Sequence, residues 1–150
     1  MTHDVDLLGG IAADAAARLH LVEPLVLPTR LIDLCRDGVE ILVLDPTRLP
    51  HTPLLTPDPE FGILGADMTE YFDAYGFAEW MRGAWPLALD GGGGFFCLDL
   101  RAVTAGTAPN DGTAPIVWSH ASNLGWTPDE AAQMGENLAA FLAATGARPA

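Results

Sequence analysis

Apolar residues recur along this chain with two different periods, which predict helices near its ends and strands in its middle. A second, shorter helix is predicted for residues 30–37, with Thr29 as its N-cap and Gly38 as the residue that ends it. The first helix is predicted within residues 1–23, because the alanine-rich segment 7–22 carries apolar side chains at helical spacing: Leu8, Ile11, Ala15, Leu19 and Val22.

Short apolar runs of the kind that form strands occupy residues 39–44, 61–64 and 115–120. Before the last of these, residues 85–100 (WPLALDGGGGFFCLDL) hold two apolar runs joined by four consecutive glycines. Glycine reaches positive φ without a steric cost, so this pattern predicts a tight β-hairpin with a glycine tip.

Three further helices are predicted, two of them before the hairpin at residues 68–75 and 77–81. The third is C-terminal and has the clearest local signal, a capping box in which a proline follows Thr127 and Glu130 lies three residues on. Its predicted core stripe, which Gly146 terminates, consists of Ala131, Met134, Leu138, Phe141 and Leu142.

The order of these elements indicates an α+β fold. Strands that follow one another through short turns pair antiparallel, and the predicted helices gather towards the two ends of the chain. We therefore expect a single domain over residues 1–150, with a twisted, mostly antiparallel sheet flanked by N- and C-terminal helices. Five prolines make residues 45–60 a loop, which is too short to separate two domains.

The glycine run also resembles a phosphate-binding loop, but the residues around it do not match such a motif. A dinucleotide fingerprint needs a helix after its glycines, whereas residues 95–100 (FFCLDL) are strand-like. The chain has no lysine, which excludes a P-loop phosphate anchor and a pyridoxal-phosphate Schiff base. We predict no cofactor and an architectural turn made of Gly91, Gly92, Gly93 and Gly94.

Charge restricts the class of partner. Seven arginines face twenty acidic residues, which gives a formal net charge of −13. Nucleic-acid binding depends on basic residues that neutralise phosphates, so this composition argues against it. An acidic surface favours a basic protein partner and speeds its encounter, whereas in many acidic proteins the charge serves solubility alone.

Residues 50–81 contain six of the twenty acidic residues and no lysine or arginine. The same segment holds Tyr71, Phe72, Tyr75 and Trp80, ring types that are common in interfaces as well as in cores. We interpret it as an anionic docking surface with aromatic anchors, with a plain solvated face as the alternative. The candidate partner-binding acids are Asp58, Glu60, Asp67, Glu70, Asp73 and Glu79.

Cysteine and histidine positions predict no metal site. Cys35 and Cys97 lie in apolar runs, which is typical of buried, reduced thiols, and the four histidines share no ligand spacing. A catalytic site could be drawn only if neighbouring strands brought Cys97 and His120 together with Asp90 or Asp99.

The N-terminal residues MTHDVDLL lack the basic region and the long apolar run of a secretory signal. No apolar run approaches the roughly 18 residues required of a membrane helix. We therefore expect a cytoplasmic protein that does not bind membranes.

The hairpin resembles the signature of the SUKH superfamily, the Smi/Knr-type domains. Residues 115–120 and the Phe141–Leu142 pair resemble later parts of the family pattern, so the resemblance covers residues 24–145. The segment LPTRLIDLCRDG departs from it, since the helix is shorter and Asp-Gly replaces Asn-Gly. The signature residues are Trp85, Asp90, Gly91, Gly92, Gly93, Gly94, Phe95, Phe96, Cys97, Leu98, Asp99 and Leu100.

This resemblance implies a non-catalytic α+β domain in which the signature residues are structural. Bacterial members are immunity-type proteins that neutralise toxins, and many such toxins are nucleases whose basic clefts an acidic chain can occlude. The resemblance thus implies a protein-binding function with a basic toxin as the partner. A regulatory or scaffold domain with a non-toxin partner is the alternative, and a small enzyme that uses Cys97 and His120 is a third.

Overall fold

Seven strands form one sheet in the computed structural model, which describes residues 5–150 and the side chains from Leu7 onward. The strands are β1 (Ile41–Val43), β2 (Glu60–Ile63), β3 (Ala84–Leu89), β4 (Gly94–Asp99), β5 (Ile116–His120), β6 (Ala131–Gly135) and β7 (Arg148–Pro149). Their order across the sheet is β6–β5–β4–β3–β2–β1–β7, and all neighbouring pairs are antiparallel. The α+β class and the antiparallel sheet are therefore confirmed.

The helices pack on this sheet and on one another. Those of the described chain are α1 (Val5–Leu19), α2 (Thr29–Arg36), α3 (Met68–Ala74), α4 (Phe77–Trp80), α5 (Arg101–Thr104) and α6 (Leu138–Ala144), with a 3-10 turn at Gly65–Asp67. α1 contacts α2 and α3, α3 contacts β3, and α6 contacts β6 and α2. Residues 1–4 of the predicted N-terminal helical segment lie outside the described residues. None of the described helices is long and apolar enough to cross a membrane.

The helix α1 forms as its apolar spacing predicts, except at its C-terminal end. Leu19 is the last helical residue, because His20 adopts a φ of 61° and the Leu21 N–H donates to the Ala16 carbonyl at 2.9 Å. Val22, which was predicted to belong to the buried stripe, is therefore fully exposed. The other four residues of that stripe are buried.

The predicted N-cap of α2 is wrong, whereas its predicted end is correct. Thr29 is the first helical residue, and Pro28 takes the cap position without a side-chain hydrogen bond. The Pro28 carbonyl accepts the N–H groups of Leu31 and Ile32, which starts the helix without help from a hydroxyl. Gly38 follows the helix with a φ of 73°.

The glycine hairpin is present within one residue of the predicted boundaries, and Gly94, which was predicted in the turn, is the first residue of β4. β3 and β4 pair from Ala84 and Asp99 at one end to Leu89 and Phe95 at the other. Gly93 has a φ of 89°, and a Cβ on Gly94 would lie 2.2 Å from the ring of Trp118. The turn thus needs one glycine for its conformation and one for the close approach of an indole ring.

The predicted C-terminal helix is wrong in its first half. Thr127 and Glu130 do form the capping-box hydrogen bond, with the Thr127 N–H donating to Glu130 Oε1 at 3.2 Å. The chain then continues as β6, because residues 131–135 pair with β5. The helix α6 begins later, after Asn137, whose Oδ1 accepts the Ala140 N–H at 2.8 Å. Pairing with a distant strand has overridden the local helix signal.

Aromatic side chains fill the core on both faces of the sheet. Phe95 and Phe96 are neighbours in β4 and point to opposite faces. Cys35 and Cys97 are buried and unbridged, as expected from their apolar surroundings. The ring contacts on one face join Phe61, Phe96 and Phe141, and those on the other join Phe72, Phe77, Trp85 and Phe95.

Candidate functional site

The turn of the hairpin is tied together by the buried carboxylate of Asp90. Its Oδ1 accepts the N–H groups of Gly92 and Gly94, both at 2.8 Å. Its Oδ2 accepts the Asp58 N–H at 3.0 Å and the Trp118 indole N–H at 2.8 Å. These four donors compensate the buried charge and bind the proline-rich loop and β5 to the turn. Asp90 therefore organises this end of the sheet.

A cavity of about 410 Å³ opens beside this turn, and we call it the tip cavity. The loop that precedes β2 forms one wall of the cavity, and the hairpin turn with the end of β5 forms the other. The walls are apolar and aromatic, and polar side chains lie among them. The residues that line it include Leu49, His51, Pro57, Asp58, Trp118 and His120.

Two of the predicted acidic residues meet at this end of the hairpin. A Cβ on Gly91 would lie 3.1 Å from a carboxylate oxygen of Asp58 and 3.1 Å from one of Glu60. Within the described chain neither carboxylate forms an ion pair with an arginine. Two like charges that share one turn favour a cation between or beside them.

The structure separates the aromatic side chains of the acidic segment into core residues and exposed residues. Phe72 is 2% exposed and belongs to the core, and Tyr71 is half-buried. Trp80 is 63% exposed and Tyr75 is 41% exposed. Tyr75 stacks on Tyr71 at 5.8 Å and meets Phe95 edge-on at 5.0 Å, so the core holds its ring in place.

A second cavity, of about 290 Å³, lies against these two exposed rings, and we call it the aromatic cavity. The turn after β5 forms its opposite side, together with the carboxylate side chain of Glu130. The residues that line it include Tyr75, Trp80, Ser122, Leu124 and Glu130.

His120, at the end of β5, binds the hairpin turn to the turn that follows β5. Its Nδ1 accepts the Ser122 N–H at 3.1 Å, which leaves Nε2 to donate to the Gly92 carbonyl at 2.8 Å. His120 lines the tip cavity and Ser122 lines the aromatic cavity. Both cavities lie at the tip end of the sheet, and we call Asp58, Glu60, Tyr75, Trp80, His120 and Glu130 together the tip surface.

The other predicted acids lie elsewhere. Asp67, Glu70 and Glu79 are exposed on the helical segment of residues 65–80. Asp73 binds Arg18 through both oxygens, at 2.8 and 2.7 Å, and this hydrogen-bonded pair lowers the pKa of Asp73. The structure thus brings Asp58 and Glu60 together, whereas Asp73 is already bound by an arginine of the same chain.

The elements of the hypothetical catalytic site are not brought together. Cys97 is fully buried, and this burial raises the pKa of its thiol. In the sheet Cys97 pairs with Val117, three residues before His120 along β5. Asp99 binds the Arg101 guanidinium at 3.0 and 2.9 Å. In the described range no three histidine, cysteine or acidic side chains form a group that could hold a metal ion.

The proline-rich loop of residues 45–60 was predicted to be a connector only. The structure shows that it also forms one wall of the tip cavity. The density of prolines was the available signal, because it fixes the loop in one conformation. Trp118 was also missed as a site residue. Its contact with Gly94 depends on pairing between β4 and β5, which no local pattern encodes.

Comparison of the chain with protein-family models, curated proteins and solved structures finds no match. The resemblance to the SUKH superfamily therefore stays a prediction from the hairpin motif.

Proposed function

We propose that this chain is a non-catalytic, immunity-type protein-binding domain that neutralises a basic toxin, such as a nuclease, through the tip surface. The observation that carries the proposal is the exposure of Trp80 and Tyr75 beside a cavity at the same end of the sheet as Asp58 and Glu60, whose carboxylates form no ion pair with an arginine in the described chain. Large rigid rings and charged neighbours are the usual composition of a binding hot spot.

The exposed rings are suited to act as anchors. Trp80 packs over Gly76, where an added Cβ would lie 2.9 Å from its ring, and Tyr75 rests on Tyr71 and Phe95. Both rings are therefore partly ordered before binding, which reduces the entropy lost when a partner covers them. The cavity between them and the turn after β5 offers room for a partner's side chain.

The charge balance of the fold supports a basic partner. Four arginines form ion pairs with aspartates in the described part of the chain: Arg18, Arg36, Arg48 and Arg101. These internal pairs consume more than half of the seven arginines, while the net charge of −13 remains. The surplus negative charge accelerates encounter with a positively charged protein, and Asp58 and Glu60 lie at the same end of the sheet as the two exposed rings.

The test is co-expression of this chain with a nuclease toxin encoded beside its gene, with cell survival and the Kd of the purified complex as readouts. We expect protection by the wild type and at least about a hundredfold weaker binding by Trp80→Ala, as for hot-spot tryptophans. Val22→Ala is the matched control, because Val22 is fully exposed and lies outside the tip surface.

Equal binding by Trp80→Ala and the wild type would contradict the proposed surface. Absence of protection together with absence of a complex would contradict the immunity function itself. A complex without protection would favour the regulatory or scaffold alternative.

A further inference from the structure

A cavity of about 370 Å³ lies at the opposite end of the β3–β4 hairpin. It adjoins Gly83, directly before β3, whereas the tip cavity lies beyond the far end of that strand, about 20 Å away. Trp80 of the tip surface is nearer, since it lies two residues from Ala78 and from Arg82, which line this cavity. We call this the arginine cavity, and its lining includes Arg18, Leu19, His20, Phe72, Arg82 and Thr104.

The arginine cavity has positive charge at its rim and an apolar floor. Arg18 is neutralised by its two hydrogen bonds to Asp73. Arg82 donates one hydrogen bond, from Nε to the Ala78 carbonyl at 3.3 Å, and forms no ion pair in the part of the chain described. The buried side chains of Leu19 and Phe72 supply the floor. The surplus positive charge of the cavity is therefore that of Arg82.

The backbone of Arg82 is held in place by a neighbouring tryptophan. The Arg82 carbonyl accepts the Trp126 indole N–H at 2.7 Å. The Arg101 guanidinium lies 3.7 Å from the centre of the Trp126 ring and is itself bound to Asp99. This arrangement fixes the position from which the Arg82 side chain extends, which favours binding because less freedom is lost.

His20 supplies an independent indication that side chains at this cavity are used. It is the only non-glycine residue with positive φ in the described chain, at 61°. It occupies the position after α1 where glycine is the favoured residue, since a Cβ makes the left-handed conformation costly. A histidine that lines a cavity from such a position carries a backbone cost that glycine would avoid, and strain of this kind clusters at functional sites.

We propose that the arginine cavity binds a carboxylate that carries an apolar group. Arg82 provides the charge and a two-pronged donor for the carboxylate, His20 provides a further ring nitrogen, and the apolar group lies against Leu19 and Phe72. One surplus positive charge suits a monoanion, whereas a polyphosphate needs several cations. The carboxylate belongs either to a free small acid or to the C-terminus of a peptide, and its binding uses none of the residues of the tip surface.

The test is an NMR titration of the whole protein with phenylacetate and with N-acetyl-phenylalanine, which represents a peptide C-terminus. N-acetyl-phenylalanine amide is the matched control ligand, because it keeps the ring and lacks the charge. We expect saturable shifts at Arg82, Gly83 and Thr104 with the acids and at least about tenfold weaker binding of the amide. The tighter of the two acids identifies the source of the carboxylate.

Arg82→Gln is expected to weaken binding of the acids at least about tenfold, whereas Arg36→Gln, at an exposed arginine of α2, leaves it unchanged. His20→Gly is expected to raise the Tm and to weaken binding, a combination that a purely structural role does not produce. Equal binding of acid and amide, absence of saturation by either acid, or unchanged binding by Arg82→Gln would overturn the proposal.

Discussion

The two ends of the β3–β4 hairpin use their acidic residues in different ways. At the base, Arg101 binds Asp99 and Arg18 binds Asp73. At the tip, the Asp90 carboxylate is buried and accepts backbone and indole N–H groups. The number of acidic residues in a segment thus does not define a docking surface, because some of their carboxylates bind arginines or N–H groups of the same chain.

The same difference separates the two candidate binding regions. The tip surface has carboxylates without arginine partners in the described chain, next to exposed rings. The arginine cavity has a guanidinium that forms no ion pair with a carboxylate among the described residues, next to a buried apolar floor. In both regions the side chains that remain unpaired indicate the charge of the ligand, and the two ligands are expected to have opposite signs.

Gly94→Ala gives the largest expected effect. The added Cβ would lie 2.2 Å from the Trp118 ring, which Asp90 holds in place, so the turn must distort. We expect the free energy of unfolding to fall by about 3 kcal/mol. Gly10→Ala is the control, since it lies in α1 with open space around it and is expected to gain about 0.5–1 kcal/mol. Urea denaturation measures both free energies of unfolding, and similar values for the two variants would show that the tip is not tightly packed.

Asp90→Asn and Asp99→Asn compare the two ends of the hairpin directly. Asp90 is buried among four donors, so its neutral replacement should cost about 2 kcal/mol or more. Asp99 is half-buried and serves an exposed arginine, so its replacement should cost about 1 kcal/mol or less. Equal losses in urea denaturation would contradict the claim that the tip carboxylate organises the fold.

Asp73→Asn has the smallest expected effect, and it depends on pH. The Arg18 hydrogen bonds lower the pKa of Asp73 in the folded state, so the carboxylate stabilises the fold above its unfolded pKa. This contribution is lost as the pH falls through the lowered pKa. Between pH 7 and pH 3 the wild type should lose about 0.5 kcal/mol more than the variant, because the pair is exposed. Parallel pH profiles from urea denaturation would show that the pair contributes nothing.

Local sequence patterns predicted the elements whose signals are self-contained. Two apolar runs joined by glycines specify the hairpin without help from distant parts of the chain. The strand β6 could not be predicted in the same way, since residues 131–135 contain no β-branched side chain. Their conformation depends on pairing with β5, and the capping signal at Thr127 pointed to a helix instead.

The candidate site was predicted only in part. The sequence identified the acidic and aromatic side chains of the site. Whether a ring can contact a partner depends on its exposure, and Phe72 is buried whereas Trp80, in the same segment, is exposed. Asp73 was assigned to a docking surface although it binds Arg18, which lies 55 positions away in the chain. Such long-range pairs are invisible to local patterns.

The most direct test of the tip surface is the association rate of the chain with the basic toxin proposed as its partner, at low and at physiological ionic strength. Asp58→Asn with Glu60→Gln is compared with Asp37→Asn with Glu136→Gln, which removes the same charge from exposed positions outside the tip surface. We predict an association rate at least about fivefold lower for the tip variant than for the control at low salt, with the difference shrinking as salt rises. Equal rates for the two variants would contradict the account, because charge would then act without regard to position.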